Sequence, residues 1–97
     1  MELNVTFRHM DPSDPIREHI EARMARLEKY FLKPESCHFI IEAEKFRRKA
    51  EITLTDNGDR ITACKITNDL YESIDGAMHA IEQQLKKHKG KVKSHRA

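Results

Sequence analysis

The apolar residues of this chain switch between the spacing of a strand and that of a helix, and the order of these switches restricts the fold more than any other feature. Residues 2–8 alternate apolar and polar side chains, as in a strand with one buried face. Residues 15–32 then place apolar side chains at intervals of three and four, which predicts an amphipathic helix. Asp14 is expected to cap this helix, with Pro15 at its first position.

Alternation returns twice, in residues 37–44 and in residues 49–55. An Asn57-Gly58 pair follows, which is a strong signal for a tight turn between antiparallel strands. A fourth strand over residues 60–67 completes a predicted three-stranded meander. The register of this strand stays open, because its apolar residues fall on both faces, and a bulge or a shared edge would explain the pattern. The two sets are Ile61 with Ala63 and Cys64 with Ile66.

A second helical spacing begins after the fourth strand and leads to the basic end of the chain. Asn68 or Asp69 can cap this helix, and Gly90 is expected to end it. Residues 1–90 are expected to form one domain, since a chain of 97 residues has room for a single hydrophobic core. Residues 91–97 are expected to form a basic flexible tail.

The order of elements is β-α-β-β-β-α, and it leads to one architecture. The first two strands are joined through a helix, so they should lie parallel if they are neighbours, with a right-handed connection. This puts the first helix on one face of the sheet and leaves the same face for the second helix. The expected fold is α+β, a two-layer sandwich of a four-stranded sheet with both helices on one face. The opposite face, open to water, would carry Asn4, Thr6, Glu42, Glu44, Glu51 and Thr53.

Several classes of function lack the residues that their chemistry requires. No apolar run reaches the roughly 18 to 20 residues that span a bilayer, and the first residues do not resemble a signal peptide. We therefore expect a cytoplasmic protein with no membrane partner. The three glycines form no phosphate-binding loop, and the six histidines lack metal-ligand spacing. Cys37 and Cys64 are expected to be reduced thiols. No enzyme, no cofactor, no metal and no small-molecule substrate is expected.

The net charge of +2 conceals an uneven distribution. Residues 86–97 contain six basic residues and no acidic one, so residues 1–85 hold the other 12 basic residues against 16 acidic ones, a balance of −4. A second cluster, over residues 45–49, places four basic residues around Phe46. Two such clusters favour a polyanionic partner with an extended surface. The alternative is a solvated basic tail that only aids solubility.

Two strings in the second half of the chain are distinctive. Residues 69–75, with the sequence DLYESID, lead into residues 82–89, with the sequence EQQLKKHK. Supporting strings are RMARLEK over residues 23–29 and AEIT over residues 50–53. With these strings in this order, the chain resembles the short bacterial ribosome hibernation promoting factors, relatives of the ribosome-associated inhibitor that is also called protein Y. The resemblance covers nearly the whole chain.

The resemblance implies a protein that binds the small ribosomal subunit and its ribosomal RNA in the channel for messenger and transfer RNA. Such a protein blocks translation under stress or in stationary phase. Short members also promote inactive ribosome dimers together with a separate small modulation factor. The long form has a further dimerisation domain and protein Y has an acidic C-terminal extension. This sequence shows neither, so the short factor is the nearer match.

The family grips ribosomal RNA through basic residues on its two helices, and the resemblance transfers that role to the matching positions here. Arg23 and Arg26 flank the apolar stripe of the first helix, and arginine suits bidentate contact with phosphate. Arg8, at the end of the first strand, matches a polar turn near the RNA. Ala80 and Gln83 stand where basic residues are expected, which shifts weight to the last turns of the second helix. The expected RNA-binding residues are Arg8, Arg23, Arg26, Lys29, Lys86, Lys87 and Lys89.

Other interpretations stay open beside this one. A general double-stranded RNA-binding domain also combines an α/β sandwich with basic helices, and it would bind bare duplex about as well as ribosomes. An enzyme acting on RNA would need a metal or an acid–base pair, which the sequence does not offer. Tyr71 could stack on a base or fill the junction between helix and sheet, and its neighbours Leu70 and Ile74 favour packing.

Overall fold

The computed structural model describes the backbone of residues 1–94 and the side chains of residues 1–88. The predicted order β-α-β-β-β-α is confirmed. No helix within these residues is both long and apolar enough to cross a membrane. The elements are β1 (Glu2–Arg8), α1 (Asp14–Leu27), a short 3-10 helix (Glu28–Tyr30), β2 (Pro34–Glu44), β3 (Arg47–Asp56), β4 (Asp59–Thr67) and α2 (Leu70–Ser94).

The four strands form one mixed sheet in the order β1-β2-β3-β4. β1 runs parallel to β2, whereas β2, β3 and β4 pair antiparallel as the expected meander. A parallel pair requires a crossover, which α1 supplies, and α2 then returns along β4 on the same face. The fold is therefore the expected two-layer α+β sandwich, and its two helices run in the same direction.

One continuous core fills the space between the helices and the sheet. Alternate residues of each strand face it, so Phe39 of β2 pairs with Ile52 of β3 and both are completely buried. Burying a large apolar side chain stabilises a fold by about 1.5 to 3 kcal/mol, so these positions hold the two layers together. The helical members of the core are Ile16, Ile20, Met24 and Leu27 of α1 and Ile74, Ala77, Met78, Ile81 and Leu85 of α2.

β4 pairs with β3 in an unbroken register from Asp59 to Thr67, so the bulge considered for this strand does not form. Ile61 is buried and Ala63 packs against the core, while Cys64 and Ile66 are exposed on the open face. The mixed sequence pattern arises because Ile66, an apolar residue, lies 42% exposed on a polar surface. The residues predicted for the open face lie there: Asn4, Thr6, Glu42, Glu44, Glu51 and Thr53.

The ends of α1 differ from the prediction. Ser13, and not Asp14, caps the helix, because the Ser13 Oγ accepts a hydrogen bond from the Ile16 N–H at 3.3 Å. Asp14 lies in the first turn, where a negative charge interacts favourably with the helix dipole. α1 ends at Leu27 and continues as the 3-10 turn, so the single long helix expected here is wrong.

α2 begins as predicted, since the Asp69 carboxylate accepts a hydrogen bond from the Tyr71 N–H at 3.2 Å. The predicted end at Gly90 is wrong, because α2 continues through this residue for one more turn. A glycine costs about 1 kcal/mol in a helix relative to alanine, which by itself does not end one. The first part of the predicted tail, residues 91–97, is therefore helical up to Ser94. Residues 95–97 lie outside the described residues, and the flexibility of the tail stays a prediction.

A buried carboxylate ties the loop before β2 to the hairpin between β3 and β4. Asp56 is completely buried and accepts hydrogen bonds from the N–H groups of Leu32, at 3.1 Å, and Lys33, at 2.8 Å. The Asn57 N–H donates to the Lys33 carbonyl at 2.8 Å. Asn57 and Gly58 have φ values of +53° and +82°, as a two-residue turn of this type requires. The bonds to Asp56 satisfy backbone groups that would otherwise lie unpaired beside the core.

Replacing Asp56 with Ala should lower the free energy of unfolding by about 3 kcal/mol, because two backbone N–H groups lose a charged acceptor. Urea unfolding followed by circular dichroism measures the change. Asp11→Ala, at an exposed loop position, is the matched control and should change the free energy of unfolding by less than about 0.5 kcal/mol. Equal effects of the two substitutions would contradict the role of Asp56.

The two cysteines should differ in reactivity. Cys37 is completely buried, and burial raises the pKa of its thiol to about 12, so only about one thiol in ten thousand is ionised near pH 8. Cys64 is exposed. Iodoacetamide should therefore modify Cys64 in the folded protein and Cys37 only after unfolding, as counted by intact-mass spectrometry. Rapid addition of two labels to the folded protein would show that Cys37 is accessible and refute this assignment.

Candidate nucleic-acid interface

A groove runs between α1 and α2, which lie side by side. α1 supplies two arginines to it, and α2 supplies two carboxylates. Between them lie a leucine and a methionine that belong to the core. The groove therefore presents cations from one helix and anions from the other. Its lining residues are Arg23, Arg26, Leu27, Asp75, Met78, His79 and Glu82.

Asp75 joins the two helices at this groove. Its Oδ1 lies 2.7 Å from His19 Nε2 and 3.5 Å from Arg23 Nε, so part of the Arg23 charge is engaged within the protein. The His19 ring meets the Tyr71 ring edge to face, with 5.0 Å between the centroids. Tyr71 is 41% exposed, so it packs against α1 at the surface and does not fill the junction between helix and sheet.

Two lysines from different elements approach one tyrosine ring. The Nζ of Lys29 lies 5.3 Å from the centroid of the Tyr30 ring, and the Nζ of Lys86 lies 5.5 Å from the same centroid. Cation–π attraction of about 0.5 to 1 kcal/mol at exposed sites helps to hold such ammonium groups. Lys86 Nζ also lies 4.0 Å from Glu82 Oε2, a weak surface pair. We call Lys29 and Lys86 the lysine pair, and it lies where α1 ends beside α2.

The ring of His88, on α2, faces two carboxylates at the hairpin between β3 and β4, and its buried Nε2 has no hydrogen-bond partner among the described residues. Its Nδ1 lies 3.4 Å from Asp59 Oδ2, and its Nε2 lies 3.9 Å from Oδ2 of the buried Asp56. Lys87 lines a shallow groove on this flank of the helix, together with Asp59. Lys86 and Lys87 therefore lie on different flanks of α2, one toward Tyr30 and the other toward β4.

Arg8 lies away from these groups. It ends β1 on the open face of the sheet, where it pairs with Glu42 of β2. Both helices begin at this end of the sheet and finish at the other, because each returns antiparallel to the strand before it. The length of the sheet therefore separates Arg8 from the lysine pair.

Three side chains near Arg8 lie close enough together to bind a cation. The potential ligand atoms of His9, Glu42 and Glu44 all lie within 4.8 Å of one another. His9 and Glu44 are exposed, and Arg47 and Lys49 line a groove together with the two glutamates. Because these positive charges oppose the binding of a cation, we assign no metal to this group.

Residues 3–93 match the sequence model of the family described as Sigma 54 modulation protein / S30EA ribosomal protein. The chain belongs to this family. The match spans the sheet, both helices and the lysine pair, and it confirms the resemblance found in the sequence.

Curated relatives of this S30EA family carry the name ribosome hibernation promoting factor. The relative from Escherichia coli (strain K12) is 35% identical over 95 residues, which are 98% of this chain and 100% of the relative. The relative from Pseudomonas putida is 33% identical over 94 residues, which are 97% of this chain and 92% of the relative. Their shared name supports ribosome hibernation, regulation of translation and ribosome binding as the role of this S30EA chain.

Two solved structures share the S30EA fold described above. A ribosomal subunit interface protein from Coxiella burnetii matches with a TM-score of 0.82 and 26% identity, over 93% of this chain and 99% of that chain. The Protein Y N-terminal domain from Thermus thermophilus matches with a TM-score of 0.83 and 27% identity, over 91% of this chain and 99% of that chain. The order β-α-β-β-β-α is thus common to these proteins.

The structure brings most of the predicted RNA-binding residues to the helix pair. Two line the groove, two form the lysine pair and one lies on the adjacent flank of α2: Arg23, Arg26, Lys29, Lys86 and Lys87. Arg8 lies at the other end of the sheet and does not join them. The side chain of Lys89 lies outside the described residues. Contact with RNA stays a prediction for all seven.

Three residues that shape this surface were not predicted as part of it. Asp75 and His88 lie within the distinctive strings DLYESID and EQQLKKHK, and that membership is the signal that could have identified them. Tyr30 has no comparable signal, because only the packing of the two helices brings Lys86 to its ring.

Replacing Asp75 with Asn should strengthen binding to small ribosomal subunits about two- to fivefold. The change removes an anion from the groove and releases Arg23 from an exposed ion pair of a kind worth about 0.2 to 1 kcal/mol. Binding at fixed salt, measured by co-sedimentation, tests this. Glu21→Gln, at an exposed position of α1, removes the same charge without touching Arg23. If both variants bind small subunits more tightly by the same factor, the gain comes from the change in net charge and not from the release of Arg23.

Proposed function

We propose that this protein binds the small ribosomal subunit in the channel that messenger and transfer RNA use, and that it blocks translation while bound. We further propose that it promotes inactive ribosome dimers, with a separate small modulation factor as partner, in the cytoplasm of stressed or stationary-phase cells. Family membership and the names of the relatives support the hibernation role.

The lysine pair is the observation that carries this proposal. Lys29 and Lys86 come from different elements and place two positive charges within 5.5 Å of the centroid of one aromatic ring. RNA phosphates are attracted to such clustered cations, and their binding releases counterions from the RNA. The groove with Arg23 and Arg26 extends this surface along α1. Cations on both helices therefore support contact with a folded RNA surface.

Occupancy alone is sufficient for this function. A folded domain that fills the channel excludes messenger and transfer RNA, so no turnover and no cofactor is needed. Contacts with phosphates position a protein on RNA but carry little sequence information. Selection of the small subunit would therefore come from the shape of the assembled channel and from the placement of its phosphates, with little reading of base sequence.

Co-sedimentation with purified subunits tests the proposal. The protein is mixed with small subunits, large subunits or whole ribosomes and centrifuged through sucrose gradients over a series of salt concentrations, with and without excess duplex RNA. Co-migration with small subunits that resists the duplex competitor, and that messenger and transfer RNA reduce, is the expected result. Complete displacement by bare duplex would instead identify a general double-stranded RNA-binding domain, and failure to co-migrate would refute ribosome binding.

Replacing Lys86, Lys87 and Lys89 with Gln should weaken binding to small subunits and reduce its dependence on salt. The slope of log affinity against log salt should fall by roughly 0.7 to 0.9 for each phosphate that the protein no longer neutralises. The same gradients at several salt concentrations measure it. Lys86 is an exposed side chain outside the core, so the fold should be unchanged.

Single variants provide the matched control for this prediction. Lys86→Gln should reduce the slope, whereas Lys65→Gln, which removes the same charge from an exposed position of β4, should leave it unaltered. An unchanged slope in the triple variant would move the binding surface elsewhere on the protein.

A further inference from the structure

Phe46 lies at the tip of the hairpin between β2 and β3, with its side chain in water. It is 87% exposed, more than any other large apolar side chain in the described part of the protein. A ring in this position adds nothing to the core. Single exposed apolar residues are common on proteins, so the meaning of Phe46 depends on its surroundings.

Hydrogen bonds from Arg48 brace the turn that carries Phe46. Glu44 and Arg47 form the last strand pair, which leaves Lys45 and Phe46 as a two-residue turn. Lys45 has a φ of +38°, in the left-handed region that such turns use. The Nη1 of Arg48 donates hydrogen bonds to the carbonyls of Lys45, at 2.8 Å, and Arg47, at 3.1 Å. The ring is therefore presented by a braced turn.

Basic residues adjoin Phe46 in the sequence. Residues 44–49 contain four basic side chains and one acidic one, a balance of +3. The acidic one, Glu44, has its Oε1 3.5 Å from His9 Nδ1. Lys45 and Arg47 flank Phe46 directly in sequence, and both are exposed. The turn thus combines an exposed aromatic face with cations on either side of it.

We propose that this turn is a second RNA-binding site, at which Phe46 stacks on an unpaired base while Lys45 and Arg47 contact the adjacent phosphates. Proteins hold single-stranded RNA in this way, since every base has a face that can stack on an aromatic ring. The choice of RNA as the partner rests on the proposed function, and the site itself lies apart from the helix pair.

The surroundings of Phe46 favour a nucleotide over a protein partner. An aromatic residue that anchors a protein interface lies within a patch that becomes dry on binding. The groove beside this turn is lined by four ionisable residues and one alanine, and the apolar atoms of these residues supply most of its surface: His9, Ala43, Glu44, Lys45 and Arg47. A nucleotide supplies a flat face for the ring and an anion for the cations at the same time.

The turn and the lysine pair lie at opposite ends of the sheet. β3 connects the two ends with ten residues, about 30 Å at roughly 3.3 Å per residue. RNA that contacts both sites would therefore extend along the length of the domain. Arg8 ends β1 at the same end of the sheet as the turn, which gives this predicted residue a place near the second site.

Fluorescence of a tryptophan at position 46 tests the proposal directly. The chain contains no tryptophan, so Phe46→Trp introduces a single reporter. Its emission should be quenched when a short oligoadenylate is titrated at low salt, and added salt should reverse the quenching. In anisotropy measurements with labelled oligoadenylate, Phe46→Trp should bind about as tightly as the unaltered protein. Phe46→Leu and Phe46→Ala should bind about 5- to 150-fold more weakly.

Ile66→Ala is the matched control, because it removes an exposed apolar side chain that is not aromatic and should leave the affinity unchanged. Unaltered affinity in Phe46→Leu, or tryptophan emission that oligoadenylate does not change, overturns the site. On small subunits, weaker binding by Phe46→Ala that Phe46→Leu restores would identify an apolar protein contact and also overturn it.

Co-sedimentation with small subunits also distinguishes a failure of the Phe46 site from a failure of the proposed function. If the unaltered protein and Phe46→Leu co-sediment equally well and oligoadenylate causes no quenching, the second site is wrong and ribosome binding stands. If the unaltered protein does not co-sediment, the proposal of ribosome binding is wrong. The quenching of Phe46→Trp emission by oligoadenylate then tests the Phe46 site independently.

Discussion

The parallel pairing of β1 with β2 determines where most of the other features lie. A parallel pair needs a crossover, so α1 covers one face of the sheet, and the meander that follows brings α2 back over the same face. The two helices consequently run in one direction. His19 meets Asp75 and Tyr30 meets Lys86, and each pair is 56 residues apart in sequence, as in two helices that keep a constant alignment. For this reason the basic residues that follow α1 meet those in the second half of α2.

Lys29 follows the C-terminal end of α1, the negative end of that helix dipole, so its positive charge also stabilises the free protein. Lys86 lies two turns before the end of α2, which is too far from that end for the same effect. A phosphate bound at the lysine pair would interact with side-chain cations and not with the N–H groups at helix starts. Binding would then depend on exposed charges, which salt screens readily.

The periodicity of apolar residues was sufficient to predict every strand and both long helices, because burial of one face is a constraint that repeats locally. The helix ends were harder. Ser13 and Asp14 are both good caps, and only the backbone conformation selects between them. Gly90 was expected to end α2, yet one glycine does not overcome its neighbours' helical preference. In the candidate site the charges were visible in the sequence, whereas the contacts of Asp56 and Tyr30 join distant segments and leave no local pattern.

α2 is continuous from Leu70 to Ser94, so its packed part and its basic part share one helical phase. The core residue Leu85 therefore sets the direction in which Lys86 and Lys87 point, at about 100° of rotation for each residue. One residue inserted after Leu85 would turn these charges around the helix axis without changing net charge. The core of this protein therefore sets the directions in which its surface charges point, whereas the surface residues set how much charge there is.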